Sequence, residues 1–199
     1  AVSRLAQQAG PEDLVFCLLS GGGSALLPAP AAGISLEEKQ QMTQVFLECG
    51  ASIDEINTLR KHCSTLKGGQ LARLVAPATL ITLVLSDVVG DRLDAIASGP
   101  TVPDPTTYQD CLDIIARYGI LDRLPLQVRQ HVQRGQQGEY PETPKMSDVL
   151  FQRCQTVIVA NNRLALQAAR HEAQARGYAT MILSASLAGE ARHIARMHA

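Results

Sequence analysis

The sequence predicts an α/β fold with a largely parallel sheet. Apolar segments rich in β-branched residues alternate along the 199 residues with longer segments that show helical periodicity. The strand-like segments are apolar throughout rather than alternating between apolar and polar residues, which is typical of strands in parallel sheets. Each predicted strand is followed by glycines or small polar residues, which favour turns.

Four segments are predicted as strands because they are short, apolar and bounded by turn-forming residues. The first, LVFCLL, stops at three consecutive glycines, and the second is the β-branched run TLITLVL. The third and fourth lie on either side of a helical segment in the last quarter of the chain. The predicted strands are 14–19, 79–85, 157–160 and 180–183.

Helix boundaries are predicted from capping residues, stop signals and apolar periodicity. Ser35 is a typical N-cap, Glu37 and Glu38 follow in the first turn, and Gly50 ends the helix. A second helix is predicted to open at Asp54. The remaining predictions are a helix over 68–76 broken by Pro77, a loop over 86–105, a helix from Thr106 or Thr107 to Gly119, a helix over 125–134, a linker over 135–145 and a helix over 163–176.

Charge and composition exclude several classes of partner. Lys and Arg total 18 and Asp and Glu total 19, so a net charge of -1 provides no basic surface for nucleic acid or anionic membranes. No apolar run approaches the roughly 20 residues that cross a bilayer, and no signal peptide is recognised. The five cysteines form no CxxC motif, which indicates reduced thiols. We therefore expect a cytoplasmic protein without a nucleic-acid or membrane partner.

The most informative segment is the glycine cluster after the first predicted strand. In the run Ser20, Gly21, Gly22, Gly23 and Ser24, glycines allow the backbone to approach a ligand closely and to point N–H groups at an anion. Ligands of open α/β sheets lie at the carboxyl ends of the strands, where this loop is predicted. It is therefore a candidate cradle for a phosphate or a carboxylate.

Neither standard nucleotide-binding motif is present. A GxGxxG fingerprint that starts at Gly21 requires a glycine where the chain has Leu26, and no GxxxxGK[ST] run occurs. The histidines show no metal-binding spacing. Any nucleotide bound by this chain is therefore held by a different binding motif.

A polar loop follows the second predicted strand and contains two aspartates. Asp87 and Asp91 lie four positions apart, with Gly90 between them. Mg²⁺ commonly takes only one or two protein carboxylates, so this pair is a candidate metal site, and solvated turn aspartates are the alternative. The third and fourth strands end at Asn161 and Ser184. Parallel strands would bring all these polar ends to one edge of the sheet.

The segment 54–69 is predicted to present a basic face opposite its apolar stripe. Asn57, Arg60, Lys61 and Lys67 recur on that face at helical spacing. An amide and three cations suit a polyanion such as a nucleoside triphosphate or a phosphorylated acid, and a solvated helix face is the alternative. Two glycines follow Lys67, and we expect them to open the next helix and offer its N–H groups to an anion.

Four sequence blocks together resemble the glycerate 2-kinase family, the two-domain class whose second half is called the MOFRL domain. The blocks are LLSGGGSALL, GASIDEINTLRKHCSTLKGGQLA, LVLSDVVGDRLDAIASGPTVPD and GEAR, and they occur in the family order. They extend over 14–192, which is nearly the whole chain. Members of this family have often been labelled hydroxypyruvate reductases.

The resemblance implies ATP- and Mg²⁺-dependent phosphorylation of D-glycerate at its 2-hydroxyl, giving 2-phosphoglycerate. It also implies a Rossmann-like αβα sandwich with the active site in the cleft between two domains. Residues 1–145 correspond to the N-terminal type of α/β domain in this family. Residues 146–199 either continue that domain or begin the MOFRL half.

The resemblance and the residue chemistry together suggest roles for the candidate site residues. Lys67, Arg60, Asp87 and Asp91 are the candidate catalytic residues, and the two aspartates are also the candidate Mg²⁺ ligands. The candidate binding residues are Ser20, Gly21, Gly22, Gly23, Ser24, Asn57 and Lys61.

Family members are roughly double the length of this chain. We therefore expect an internal fragment, with other parts of the same protein completing the cleft, and weak or no kinase activity from the isolated chain. Two alternatives stay open: an NAD(P)H-dependent hydroxypyruvate reductase and a non-catalytic anion-binding remnant. The missing GxGxxG motif and the lack of an evident catalytic His–carboxylate pair argue against the reductase.

Overall fold

The computed structural model describes residues 1–187 and 189–198, and it has an α/β fold built on a parallel three-stranded sheet flanked by helices. The strands are β1 (Leu14–Leu19), β2 (Thr79–Leu85) and β3 (Cys154–Ala160). The helices are α1 (Val2–Ala6), α2 (Gly23–Leu26), α3 (Leu36–Glu48), α4 (Ile53–His62), α5 (Gln70–Val75), α6 (Tyr108–Tyr118), α7 (Leu126–Gln136), α8 (Asn162–Ala175) and α9 (Ala191–His198). Short 3₁₀ turns occupy Ile96–Ser98, Leu121–Arg123 and Val149–Arg153. Within the described residues, no helix combines the length and apolar character required to cross a membrane.

The strands lie in the order β1-β2-β3, and both pairings are parallel. The carboxyl ends of all three therefore share one edge of the sheet, as the sequence predicts. One face of the sheet packs against α5, and Leu71 and Val75 contact Leu80 there. On the opposite face Phe16 and Leu18 of β1 are 58% and 74% exposed.

The predicted fourth strand is not formed. The predictions for β1 and β2 are confirmed to the residue, and β3 begins three residues before its predicted start. Residues 180–183 have irregular backbone, and Met181 and Leu183 remain largely exposed. Apolar character indicates a tendency to be buried, but a strand also requires a neighbour with free N–H and C=O groups.

Reciprocal capping explains where the main helices begin. Ser35 and Glu38 form a capping box at α3, and Ser52 and Glu55 form another at α4. Thus α4 opens at Ile53, one residue before the predicted Asp54, because the Ser52 hydroxyl accepts a hydrogen bond from the Glu55 N–H. The prediction that Thr106 or Thr107 starts α6 is confirmed, since Thr107 is its N-cap.

The polar side of α4 is buried as deeply as its apolar side. Leu59 and Ile56 pack into a core formed by α3, α4, α6 and α7. On the other side, Asn57 and Lys61 are 5% and 3% exposed. The expected basic surface is therefore an interior surface, because the loop from β2 to α6 folds over it.

One buried ion pair fastens that loop to α4. Lys61 Nζ lies 2.6 Å from Asp104 Oδ1, and neither side chain is more than 3% exposed. Asp104 also accepts hydrogen bonds from Thr106 and Thr143. Burial works to raise the pKa of Asp104, but the Lys61 ammonium and the hydrogen bonds from Thr106 outweigh it and lower that pKa.

Removing one partner of this pair is expected to destabilise the fold strongly. Lys61→Met leaves the Asp104 carboxylate buried without its counter-charge, which costs about 3–5 kcal/mol in the free energy of unfolding. The double variant Lys61→Met/Asp104→Asn should recover part of the loss because no charge is left unpaired. Urea unfolding measures both. Arg176→Gln breaks the exposed pair with Glu172, and should cost less than about 1 kcal/mol. Equal losses for Lys61→Met and Arg176→Gln would contradict a structural role for the buried pair.

A second contact holds the 139–145 segment, which packs over the end of α4. The Glu142 carboxylate accepts a hydrogen bond from the Tyr108 N–H and lies 3.2 Å from His62 Nε2. Burial works to raise the pKa of Glu142, but the hydrogen bonds from His62 and Tyr108 and the charge of Lys145 lower it to about 2. The ionised carboxylate therefore helps to hold this segment in place.

The depressed pKa of Glu142 predicts a loss of stability in acid. The ionised group stabilises the fold fully above its ordinary pKa of 4.5, and the contribution is lost as pH falls toward about 2. Urea unfolding of Glu142→Gln at stepped pH should show a shallower decline in stability over that window than the parent chain. Glu12→Gln changes an exposed carboxylate and should keep the parent slope. Identical slopes for the parent and Glu142→Gln would refute the assignment.

Candidate functional site

The glycine loop lies at the carboxyl end of β1, as predicted. Gly22 has a φ of 83°, a left-handed conformation that glycine adopts without strain, and it is the N-cap of the single-turn helix α2. The chain thus turns sharply from strand into helix within the run Ser20–Ser24. This turn brings the loop backbone against the segments that follow β2.

Gly21 and Gly23 are required by close packing on two sides of the loop. A Cβ at Gly21 would lie 2.5 Å from Asp87 Oδ2, and a Cβ at Gly23 would lie 2.8 Å from the Cβ of Ala97. Side chains at these positions would push both neighbours away. The loop therefore contacts the Asp87 carboxylate on one side and the 95–99 turn on the other.

The acidic side of the site joins the ends of β2 and β3. Asn161 donates from Nδ2 to Asp91 Oδ2 at 2.6 Å, and its own Oδ1 accepts from the Leu164 N–H at the start of α8. Asp91 has a φ of 55°, an uncommon conformation for a residue with a side chain. Asp87 and Asp91 line one pocket of about 330 Å³ with Asn161. The structure thus brings together the two aspartates and the strand-end asparagine.

The donor set on this side suits Mg²⁺. Asp87 is exposed and lies against the glycine loop, and Asp91 is held by an amide. Mg²⁺ usually keeps several waters and takes one or two carboxylates together with substrate phosphates, so two aspartates beside a glycine loop fit it. Among the residues described, no group of three or more His, Cys, Asp or Glu side chains is arranged to hold a metal by itself.

The basic side of the site is formed by Lys67, Arg60 and Lys39. Lys67 is 1% exposed, and its Nζ donates to the Ser24 carbonyl of the glycine loop at 2.9 Å. Lys39 of α3 donates to the Cys63 carbonyl at 2.9 Å. All three cations line one pocket of about 280 Å³ with Ser24.

Burial and neighbouring positive charge lower the pKa of Lys39 and Lys67. Burial is the larger cause in both cases, and it lowers the pKa of Lys67 to about 8 and that of Lys39 to about 8. The charges of Lys39 and Arg60 also lower the pKa of Lys67. At Lys39 the charge of Arg60 lowers the pKa, and Cys63 opposes the shift. A bound anion would reverse both effects.

Lys39 was not among the residues predicted from the sequence. It lies on the capped helix α3, distant in sequence from the Gly loop and from the basic segment of α4. Within α3, Lys39 stands among other polar residues, so the sequence does not distinguish it from a solvent-exposed lysine. Only the packing of α3 against α4 brings it to the pocket.

The residue pair Gly68-Gly69 does not form the predicted anion cradle. The Gly68 and Gly69 N–H groups donate to the Ser98 and Gly99 carbonyls at 2.9 and 2.7 Å, so they are already occupied. The accepting turn is strained, since Ala97 and Ser98 have φ values of 52° and 60°. The N-terminus of α5 therefore holds this turn rather than a ligand.

Asn57 and Lys61 lie away from the pocket surfaces that face the glycine loop. Asn57 accepts a hydrogen bond from Ser98 Oγ at 3.2 Å, and Ser98 Oγ also contacts Ser24 Oγ at 3.1 Å. Asn57 therefore positions the strained turn. The Lys61 ammonium is bound to Asp104, so the structure gives it a carboxylate partner within the fold. Their assignment as ligand-binding residues stays a prediction.

Similar proteins were found among both sequences and solved structures. The chain is 46% identical over 185 residues to "Glycerate 2-kinase" of Pyrococcus horikoshii, covering 93% of this chain and 41% of the relative. It is 47% identical to "Putative hydroxypyruvate reductase" of Agrobacterium vitis, covering 97% of this chain and 42% of that protein. The crystal structure of glycerate kinase from Thermotoga maritima matches with a TM-score of 0.82 and 41% identity, covering 99% of this chain and 44% of that one.

These matches confirm the resemblance to glycerate kinases and the α/β fold. The chain spans less than half the length of each of these three proteins. A family model described as "Domain of unknown function (DUF4147)" matches residues 1–133. Because that match covers well over half of the residues, the chain belongs to the DUF4147 family.

Proposed function

We propose that this chain supplies part of the active site of a glycerate 2-kinase. The reaction transfers the γ-phosphoryl group of ATP to the 2-hydroxyl of D-glycerate and gives 2-phosphoglycerate. One observation carries the proposal: a single glycine loop contacts a carboxylate, Asp87, at Gly21 and a buried cation, Lys67, at Ser24. Phosphoryl transfer requires a metal-binding carboxylate and a neutralising cation on either side of the phosphate.

The two sides of the loop have different roles. Asp87 and Asp91 would hold Mg²⁺, which supplies positive charge to phosphate oxygens when it is bound. The N–H groups of the glycine loop would bind phosphate oxygens. Lys67, which lies against the loop at Ser24, would stabilise the negative charge that develops on the transferred group.

The chemistry is an in-line displacement. A lone pair of the glycerate 2-hydroxyl oxygen forms a bond to the γ-phosphorus, the bond from that phosphorus to the bridging β-oxygen breaks, and ADP leaves with the electron pair. The hydroxyl proton is released, and an aspartate at the sheet edge is suited to orient the hydroxyl and accept that proton. Positioning supplies most of the rate in such reactions.

Residues elsewhere in the same protein are proposed to complete the cleft. The apolar face of β1 carries Phe16 and Leu18 more than half exposed, which is typical of a surface that packs against another element. Strand β3 lies after residue 145 and pairs with β2. This pairing supports the interpretation that residues 146–199 continue the domain of residues 1–145 rather than begin the MOFRL half. Free cysteines throughout are consistent with a cytoplasmic protein.

The reductase alternative has weaker support. The Agrobacterium relative carries that name, but this chain lacks a GxGxxG motif at its strand ends, and a strained turn rather than an open helix N-terminus lies beside the loop. Following NADH absorbance with hydroxypyruvate distinguishes the two activities directly.

The decisive assay uses the natural full-length protein that carries this chain with ATP, Mg²⁺ and D-glycerate, and identifies the product by ³¹P NMR. Formation of 2-phosphoglycerate is expected. Asp87→Asn should lower kcat by about 100-fold or more, because a ligand of the catalytic metal is lost. Asp113→Asn removes an exposed carboxylate on α6 as a matched control and should leave kcat unchanged. Full activity in Asp87→Asn would exclude the metal role, and the isolated 199-residue chain is expected to be far less active than the full-length protein.

Gly21→Ala tests the contact between the loop and Asp87. The new methyl group would lie 2.5 Å from Asp87 Oδ2, so the carboxylate must move. We expect the Mg²⁺ concentration for half-maximal activity to rise about tenfold, which corresponds to about 1.4 kcal/mol. Gly10→Ala is the matched control, because a Cβ there meets only Asp13 at an ordinary 3.6 Å. An unchanged Mg²⁺ requirement in Gly21→Ala would show that Asp87 does not bind the metal from this position.

A further inference from the structure

Three cations surround one small pocket beside the glycine loop. Lys39 comes from α3, Arg60 from α4 and Lys67 from the segment between α4 and α5. The pocket measures about 280 Å³, and its wall also includes Ser24 and Gln40. Three separate segments thus contribute positive charge to one pocket.

None of these cations has a carboxylate partner in the part of the chain that the structure describes. The ion pairs there involve other residues, and the lysine ammonium groups donate only to the backbone carbonyls of Ser24, Ala97 and Cys63. Lys61, the residue after Arg60 on α4, is also buried, and it is paired with Asp104. The fold therefore neutralises its structural lysine and leaves the pocket cations without counter-charge.

A buried charge without a counter-charge lowers the stability of the fold, so three such cations around one pocket indicate a site for an anion. Burying an ammonium without a carboxylate costs several kcal/mol, and the repulsion among neighbouring cations adds to it. Burial is the largest cause of the lowered pKa, about 8, of both lysines, and the charge of Arg60 acts in the same direction at each. An anion in the pocket would offset the desolvation and the repulsion together.

The character of the pocket favours a small carboxylate over a polyphosphate. A volume of about 280 Å³ lies at the lower end of ligand pockets, and Pro28 and Leu36 close its wall with apolar surface. Arg60 offers the planar fork that binds a carboxylate through two parallel hydrogen bonds. Gln40 and Thr43 supply polar groups of the kind that bind hydroxyls.

We propose that Lys39 and Arg60 bind the carboxylate of the acceptor acid in this pocket, beside Lys67 at the glycine loop, with Lys39 as a binding residue not foreseen from the sequence. The proposal rests on the proposed kinase function and assigns the two sides of the loop. The basic pocket takes the hydroxy acid, and the Asp87–Asp91 side takes the metal and the polyphosphate. The acceptor would then lie beside Ser24, directly against the loop that holds the phosphate.

Binding of D-glycerate to the full-length protein that carries this chain, without ATP, tests this by isothermal titration calorimetry. Lys39→Gln and Arg60→Gln should each weaken binding by about tenfold or more, because each removes a charge-assisted hydrogen bond to the carboxylate. Lys39→Arg retains the charge and should retain most of the affinity. Arg176→Gln makes the same change in net charge on α8, away from the pocket, and should bind normally. D-Glyceramide, which lacks the carboxylate charge, should bind far more weakly than D-glycerate.

Several outcomes would overturn the assignment. Unchanged D-glycerate affinity in both Lys39→Gln and Arg60→Gln would do so, as would equal binding of D-glycerate and D-glyceramide. Binding of inorganic phosphate but not D-glycerate would assign the pocket to a phosphoryl group instead. Arg60 is only half buried, so its variant keeps the test valid if Lys39→Gln does not fold.

Kinase assays of the full-length protein distinguish failure of this pocket assignment from failure of the proposed function. If the full-length protein forms 2-phosphoglycerate while Lys39→Gln leaves KM for D-glycerate unchanged, the kinase function stands and the pocket assignment fails. If D-glycerate binds through Lys39 and no phosphorylated product forms, the carboxylate site stands and the kinase function fails.

Discussion

Helix α4 is buried on its polar face, and the geometry of the site depends on how those polar groups are satisfied. Lys61 binds Asp104 at 2.6 Å and fastens the loop that follows β2. Asn57 binds Ser98 and fastens the strained turn at residues 97–99. An unpaired polar group in this position would cost more than either contact provides, so the loop and the turn have little freedom to move. These contacts hold the segments against which the glycine loop packs.

The glycine loop then connects two regions of opposite charge. Because Gly21 has no side chain, Asp87 can lie against the loop backbone, and because Ser24 directs its carbonyl inward, Lys67 is fixed on the other side. The order of β1, β2 and β3 in a parallel sheet places these ends at one edge. A phosphate group between a metal-binding carboxylate and a cation is the arrangement that phosphoryl transfer needs. The strain at Asp91 and Ser98 is consistent with a site held in place by its surroundings.

Buried lysines in this chain fall into two kinds. Lys61 has a carboxylate partner, and its removal would damage the fold. Lys39 and Lys67 donate to backbone carbonyls, and burial and the neighbouring charge of Arg60 oppose the charged form of both. The paired lysine stabilises the native state. The unpaired lysines destabilise it, and a bound anion would offset that cost. Lys39 and the predicted catalytic residue Lys67 line the pocket, whereas the predicted binding residue Lys61 fixes the loop that follows β2.

The sequence alone determined the α/β class, the exact bounds of β1 and β2, the capping of α3 and α6, and the glycine loop with Asp87 and Asp91. These features depend on local chemistry: apolar runs, capping residues and glycine's conformational freedom. Only the tertiary structure decided that the 180–183 segment is not a strand, that Lys61 is paired, and that Lys39 reaches the site. Each of these depends on which groups meet across long sequence separations, and spacing along the chain carries no information about those meetings.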